Sequence, residues 1–278
     1  MISSELQLAQ PKLKRRWLQY SLRSLLLFVL LWAIACNWFA TRMQQVRKQR
    51  DAVKVFRQFP GGVTYDYQYS GQKKAPPGPA WLRKWLGDDW FANVEVVCLG
   101  CNKKFTDAEM AHVEALPRLK VLRLYDAAIT DAGMEHLKVL TQLKELSLGR
   151  TKITDAGLEN IKGLKQLERL SLSGNKMITG TGLEDLEGLP QLKELRLYDA
   201  KITDAGLEHV KGLTGLQALY LDKARVTDVG LVHLQGLSQL RELSLFGTQV
   251  TGAGVKKLRE ALPNCKIAWE PPTPTLSE

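Results

Sequence analysis

A chain of 278 residues, 45% apolar and 24% charged, has material for a sizeable core and the balance of an ordinary folded protein. Its formal charge of +10 would suit nucleic acid, but the placement of that charge excludes it. Eleven of the 39 Lys and Arg precede residue 58, against Glu5 and Asp51 alone, and residues 58–278 carry 28 basic and 27 acidic side chains. A nucleic-acid face needs its cations on the folded part, so no nucleic-acid partner is expected.

The first predicted element is apolar. Between Arg23 and Arg42 stand eighteen uncharged residues, "SLLLFVLLWAIACNWFAT". At ~1.5 Å per residue a helix of that length just crosses a ~30 Å hydrocarbon layer. Residues 24–41 are therefore read as a transmembrane anchor behind a basic tail, residues 1–23. Two alternatives compete: "AIA" at residues 33–35 resembles a signal-cleavage site, and "AIAC" loosely resembles a bacterial lipobox that would lipidate Cys36, with Ala33 where Leu is usual. The apolar run continues through Trp38, Phe39 and Ala40 and the preceding stretch is long for a signal, which favours an uncleaved anchor. Trp17, Tyr20, Trp38 and Phe39 stand near its ends, as interfacial aromatics would. Cations flank both sides, so the positive-inside count is nearly a tie. A short tail with five cations crosses less readily than a long domain, which puts the large C-terminal part on the extracytoplasmic side.

Residues 42–59, "RMQQVRKQRDAVKVFRQF", lack Pro and Gly and place Val46, Val53 and Phe56 at helical spacing, a juxtamembrane helix running on into water. "PGG" at residues 60–62 stops it. "VTYDYQY" alternates Val63, Tyr65, Tyr67 and Tyr69 with polar residues, as a half-buried strand does. After the loop "SGQKKAPPGP", the stretch "AWLRKWLGDDWF" sets Trp81, Leu82, Trp85 and Leu86 on one side of a short helix. Residues 60–93 are read as an N-terminal cap whose apolar groups cover the next part of the chain.

That next part is periodic. Residues 122–133 read "LRLYDAAITDAG" and residues 195–206 read "LRLYDAKITDAG". From Phe105 the chain repeats every 24 residues, with one extra residue in "ITDAGLENIKGLKQLERLSLSGNKM", until "VTGAGVKKLREALPNCKIAWE" closes the series. Each repeat holds LxxLxLxx before a small or polar residue, most fully as Leu167, Leu170, Leu172 and Asn175. That spacing makes one short strand with its leucines inward, near Val97, Leu122, Leu146, Leu170, Leu195, Leu219 and Leu243. In "ITDAGMEHLKVL" Thr130 can cap a helix with Asp131 at its positive end, and Met134, Leu137 and Leu140 fall on one face. Ala132 and Gly133 keep that face thin where coils approach. One repeat buries nothing alone, whereas a stack buries a continuous core.

Residues 94–269 thus resemble the leucine-rich repeat family in its 24-residue, ribonuclease-inhibitor-like class. "VEVVCLGCNKK" at residues 94–104 matches a repeat strand, Ile267 and Trp269 take the places of the last two leucines, and residues 270–278 depart as a disordered tail. The resemblance implies an α/β fold, a right-handed solenoid with a parallel sheet on its concave side and short helices outside, which binds other macromolecules on the sheet. The N-terminal pattern also resembles that of membrane-anchored leucine-rich repeat proteins of planctomycete-type bacteria.

Chemistry is looked for at three places. His112, His136, His209 and His233 share one repeat position, read as a solvated helix face because no ligands converge. "CLGC" at Cys98 and Cys101 has redox or zinc spacing but falls in a strand, with no second pair at zinc spacing. The column Asp107, Asp131, Asp155, Asp204 and Asp228 is read as helix capping. GxSxG, P-loop and HExxH are absent from the sequence, so a non-enzyme without metal or cofactor is expected.

The outward positions of the strands remain, where the fold does not dictate residue type. The fifth, seventh and eighth positions of LxxLxLxx give the candidate partner-binding residues Arg123, Tyr125, Asp126, Arg150, Arg196, Tyr198, Asp199, Tyr220, Asp222, Lys223 and Phe246. Tyr and Arg combine contact area with hydrogen-bonding ends and are enriched in interfaces. Three coils at ~4.8 Å put the two RLYD words ~14 Å apart, with small residues between them. The expected function is recognition of a protein or peptide on this face by a membrane-tethered module. The alternative is an envelope spacer that contacts glycan.

Overall fold

The computed structural model describes residues 22–69 and 76–271. The tail before residue 22, with Trp17 and Tyr20, and most of the expected C-terminal tail lie outside the described residues. The chain divides into two compact units, residues 1–44 and 45–278.

In the first unit, helix α1 (Leu22–Phe56) begins. Among the described residues it is the one helix long and apolar enough to cross a membrane, and its apolar side chains from Leu25 to Trp38 are exposed. Its last turns belong to the second unit. There Val46, Ala52, Val53 and Phe56 are buried, Gln45 Nε2 donates to the Ala115 carbonyl at 2.8 Å, and Gln49 Nε2 to that of Ala92 at 3.0 Å. Phe56 and Phe59 pack on Phe105, centroids 6.1 and 5.2 Å apart. The residues expected to run on into water therefore close the first coil.

Among the described residues, nine strands lie in sequence order within one sheet: β1 (Gly61–Tyr65), β2 (Val94–Leu99), β3 (Val121–Tyr125), β4 (Glu145–Gly149), β5 (Arg169–Ser171), β6 (Glu194–Arg196), β7 (Ala218–Tyr220), β8 (Glu242–Ser244) and β9 (Lys266–Ala268). β1 pairs antiparallel with β2, and every later pair is parallel. Leu122, Leu146, Leu170, Leu195, Leu219, Leu243 and Ile267 stand in register. The period-two alternation turns these side chains inward, where the six leucines are at most 1% exposed.

Helix α2 (Ala80–Leu86) departs from expectation. It has no buried residue: Leu82 and Leu86 are half-buried while Trp81 and Trp85 are exposed. Residues at i and i+4 share a face, so the two indoles point together away from the coil. The cap is made instead by the end of α1, β1 and the buried Trp90.

The convex side is a second departure. A single turn of α-helix passes into 3-10 helix, as Asp131–Met134 into Glu135–Val139, and two coils are 3-10 throughout, Asp155–Ile161 and Thr181–Leu186. Met134, Leu137, Leu140 and Leu143 recur every three residues, and a side chain aligned every third position is the period of a 3-10 helix. The closing repeat breaks this rule. Val255, Leu258 and Leu262 are spaced by three and four, and there a full helix α3 (Gly252–Ala261) forms. Trp269 ends the stack, its Nε1 donating to the Val250 carbonyl at 3.0 Å.

The Asp column, expected to cap its own helices, joins successive coils instead, and the threonines make the caps, as Thr130 Oγ1 accepts from Ala132 N at 3.3 Å. Asp131 accepts from Thr154 N at 2.8 Å and Thr154 Oγ1 at 2.6 Å, one coil on. Asp107, Asp155, Asp204 and Asp228 hold Thr130, Thr179, Thr227 and Thr251 in the same way. Gly133, Gly157, Gly230 and Gly254 make room for these carboxylates: a Cβ on Gly157 would lie 2.4 Å from Asp131 Oδ1. The fourth repeat reads "TGTG", and Gly180 has no carboxylate to offer. Thr203 N there donates to the Thr179 carbonyl at 3.2 Å, and Gly180, at φ 111°, lies so near Gly206 that a Cβ would come within 2.6 Å of its Cα.

Candidate binding face on the open side of the sheet

The side chains opposite the leucines come from the third, fifth and seventh positions of each LxxLxLxx. Along β3–β6 they form a trough with a cavity of about 410 Å³ lined by Arg123, Glu145, Ser147, Arg169, Ser171, Glu194 and Arg196. Ser147 and Ser171 make its floor, and Arg123 and Arg196 stand at its ends. Glu145, 8% exposed, receives Arg123 Nε on one side and Arg169 NH2 at 2.8 Å on the other. Burial alone would raise the Glu145 carboxyl, but the hydrogen bonds from Arg123 and Arg169 outweigh it and hold the group below the ordinary carboxylate value. Arg196 is paired with Glu194 on its own strand.

Aromatic groups flank the trough. The Tyr125 ring lies over Gly149, where a Cβ would meet it at 2.7 Å, and Arg150 Cζ sits 5.4 Å from its centroid. Across the trough, Tyr198 and Tyr220 pack with centroids 5.4 Å apart, and Arg196 Cζ lies 5.5 Å from the Tyr220 centroid. Burial and a hydrogen bond to Glu242 push the Tyr220 phenol up to about 12, so it stays protonated and can donate. Farther along, Asp222 Oδ1 accepts from Ser244 Oγ and from Phe246 N at 3.1 Å, and Phe246 is 42% exposed.

The eighth-position residues occupy a different place from the one expected. Asp126, Arg150, Asp199 and Lys223 have φ of 57°, 53°, 56° and 60°, and Gly174 and Gly247 in the same column have 77° and 66°. The chain turns out of each strand through a left-handed residue, so this column edges the face. The two glycines were its visible signal, since glycine takes that conformation without steric cost. The Asp199 carboxylate is engaged by Lys176, which holds it below its usual range.

The family described as leucine rich repeat matches residues 117–177 and 141–202. The coils are leucine-rich repeats. Among solved structures, internalin C2 of Listeria monocytogenes is similar with a TM-score of 0.52 and 26% identity, over 66% of this chain and 75% of that one. A second internalin of that species (TM-score 0.47, 20% identity) shares 64% of this chain and 54% of its own. A leucine-rich repeat protein of Leptospira interrogans (0.48, 23%) shares 62% of this chain and 48% of its own. The chain spans about half the length of these last two. None of the curated proteins matches it. Leucine-rich repeat folds commonly serve as protein–protein interaction modules.

The other candidate chemistry of the leucine-rich repeats is dispersed. His136 Nδ1 lies 2.7 Å from Glu114 Oε1 on the convex side. Cys98 is half-buried beside Arg123, its thiol pushed up by burial against the arginine's opposing charge. Cys101 is exposed and both thiols are free. Among the described residues, no three or more His, Cys, Asp or Glu could jointly hold a metal ion. Sequence reasoning missed the third-position residues Glu145, Arg169 and Glu194. The alternation that selects positions five and seven selects position three as well.

Proposed function

We propose that this protein is a membrane-tethered recognition module that holds an extended segment of a protein or peptide partner in the trough of β3–β6, between Tyr125 and the Tyr198–Tyr220 pair, on the extracytoplasmic side. The trough itself carries the reading. Three arginines, two serines and two glutamates converge on one 410 Å³ recess between an exposed tyrosine, Tyr125, and the half-buried Tyr198 and Tyr220, on the face where the fold leaves residue choice free. Serine hydroxyls and the Glu145 and Glu194 carboxylates can meet backbone amides, the arginines can meet carbonyls or carboxylates, and the tyrosines supply area with little conformational entropy to lose. The apolar length of α1 supports the tether.

A photo-crosslinking amino acid placed at Ser171, compared with one at Glu159 on the convex side, tests the reading in the native membrane. A discrete adduct from Ser171 alone is expected, weakened by Tyr125→Ala, whose loss should cost ~1–3 kcal/mol of affinity as a hot-spot truncation does. Equal adducts from both faces, or none from Ser171, would remove the trough from the explanation.

A further inference from the structure

Helix α2 presents its two largest apolar groups to solvent. Trp81 is 72% and Trp85 76% exposed, one turn apart on the same face, while Leu82 and Leu86 turn toward the protein. An indole hides a large apolar area when buried, so a pair left in water on one short helix is a surface awaiting cover. Lys84 is exposed between the indoles, and Arg83 precedes it with Asp88 as its partner. The helix is also held in place. Arg50 of α1 binds Asp89 at 3.0 Å just beyond α2, and Tyr65 Oη donates to Asp89 at 2.8 Å.

We propose that Trp81 and Trp85 seat in the headgroup interface of an anionic bilayer, the same membrane that α1 enters, and give the solenoid a second attachment point. This rests on the reading of α1 as a membrane anchor. Tryptophan is the side chain that prefers that depth, its ring in the acyl boundary and its N–H toward the headgroups. Lys84, exposed between the two indoles, complements anionic lipid. A second copy of the chain is a poorer occupant, since a twofold contact over these indoles would bring Lys84 of each copy near its equivalent.

The test uses the full chain reconstituted as a single copy per nanodisc of phosphatidylcholine and phosphatidylglycerol, with bromine on the acyl chains either close to the headgroup or close to the bilayer centre. Emission of a Trp81→Phe/Trp85→Phe variant, subtracted from that of the native chain, reports the two indoles. We expect a blue-shifted difference emission that is mostly lost to shallow bromines, little affected by deep ones, and shifted back toward the red when phosphatidylglycerol is omitted. The remaining emission, which includes Trp32 and Trp38, should be quenched by the deep bromines. A difference emission that is red-shifted and untouched by shallow bromines, while deep bromines still quench the remainder, would overturn the proposal and leave the anchor standing. A remainder insensitive to deep bromines would overturn the anchor and the proposal together.

Discussion

Replacing Asp131 by Ala removes one rung of the ladder that joins successive coils. The lost interactions are two bonds to an ionised carboxylate, from Thr154 N at 2.8 Å and Thr154 Oγ1 at 2.6 Å. Thr154 Oγ1 in turn accepts from Ala156 N at 3.2 Å, so the hydroxyl loses its acceptor while still capping the next helix. Hydrogen bonds to charged groups contribute about 1.5–3 kcal/mol each, and the half-exposed setting of both residues places this pair near the low end, about 2–4 kcal/mol in total. Gly157→Ala should attack the same rung from the other side, because its Cβ would come 2.4 Å from Asp131 Oδ1. The decisive measurement is a double-mutant cycle by urea unfolding of the full chain in mild detergent, monitored by circular dichroism. Gly157→Ala should cost less once Asp131 is gone, although Ile153 Cγ2 at 2.9 Å leaves it some cost of its own. An Asp131→Ala loss below ~0.5 kcal/mol, the scale of an ordinary surface substitution, or a Gly157→Ala cost equal in both backgrounds, would refute the ladder as a source of stability.

The left-handed column predicts opposite signs for two substitutions. Lys223→Gly, at φ 60°, should stabilise by about 0.5–1 kcal/mol because a Cβ is costly there. Gly174→Ala, at φ 77° with Arg150 Cγ 2.6 Å from the new Cβ, should destabilise by about 1 kcal/mol or more; both are read as urea midpoints. Glu145→Gln should cost about 1–3 kcal/mol at neutral pH by weakening the bonds from Arg123 and Arg169. Because the folded carboxyl lies below its unfolded value of ~4.3, the stability it contributes is complete above that pH and is lost as the pH falls through the depressed value. The gap in stability between native and variant protein should therefore narrow on acidification below about pH 5, and a gap that widened would refute the assignment.

The sheet was legible because one rule produces it. Strand alternation puts Leu122, Leu146 and Leu170 inward and in register whatever their neighbours are, and the 24-residue period repeats the rule until it is unmistakable. The convex side was less legible, because leucines every third residue resemble a helical stripe when only one or two turns are present. Trp81 and Trp85 misled for a general reason: amphipathic spacing shows that a face exists and leaves open what covers it. Within the site, the side-chain columns were visible, but the pairing of Arg123 with Glu145 and the tilted contact of Tyr198 with Tyr220 depend on residues brought together by neighbouring coils. The role of the Asp column as a link between coils was hidden for the same reason, since its partner threonines lie 23 or 24 positions away.

The coil that reads "TGTG" is joined to the next one differently from every other pair. At its back, two glycine backbones touch and one backbone hydrogen bond, Thr203 N to the Thr179 carbonyl at 3.2 Å, stands where the other coils have a carboxylate clasp. At its front, the same pair of coils is latched by Tyr198 on Tyr220 and by Arg196 over the Tyr220 ring. The junction without the clasp is therefore the one that carries the Tyr198–Tyr220 pair. A ligand laid across both rings would bridge the two coils at the front of the one junction whose back lacks a carboxylate clasp.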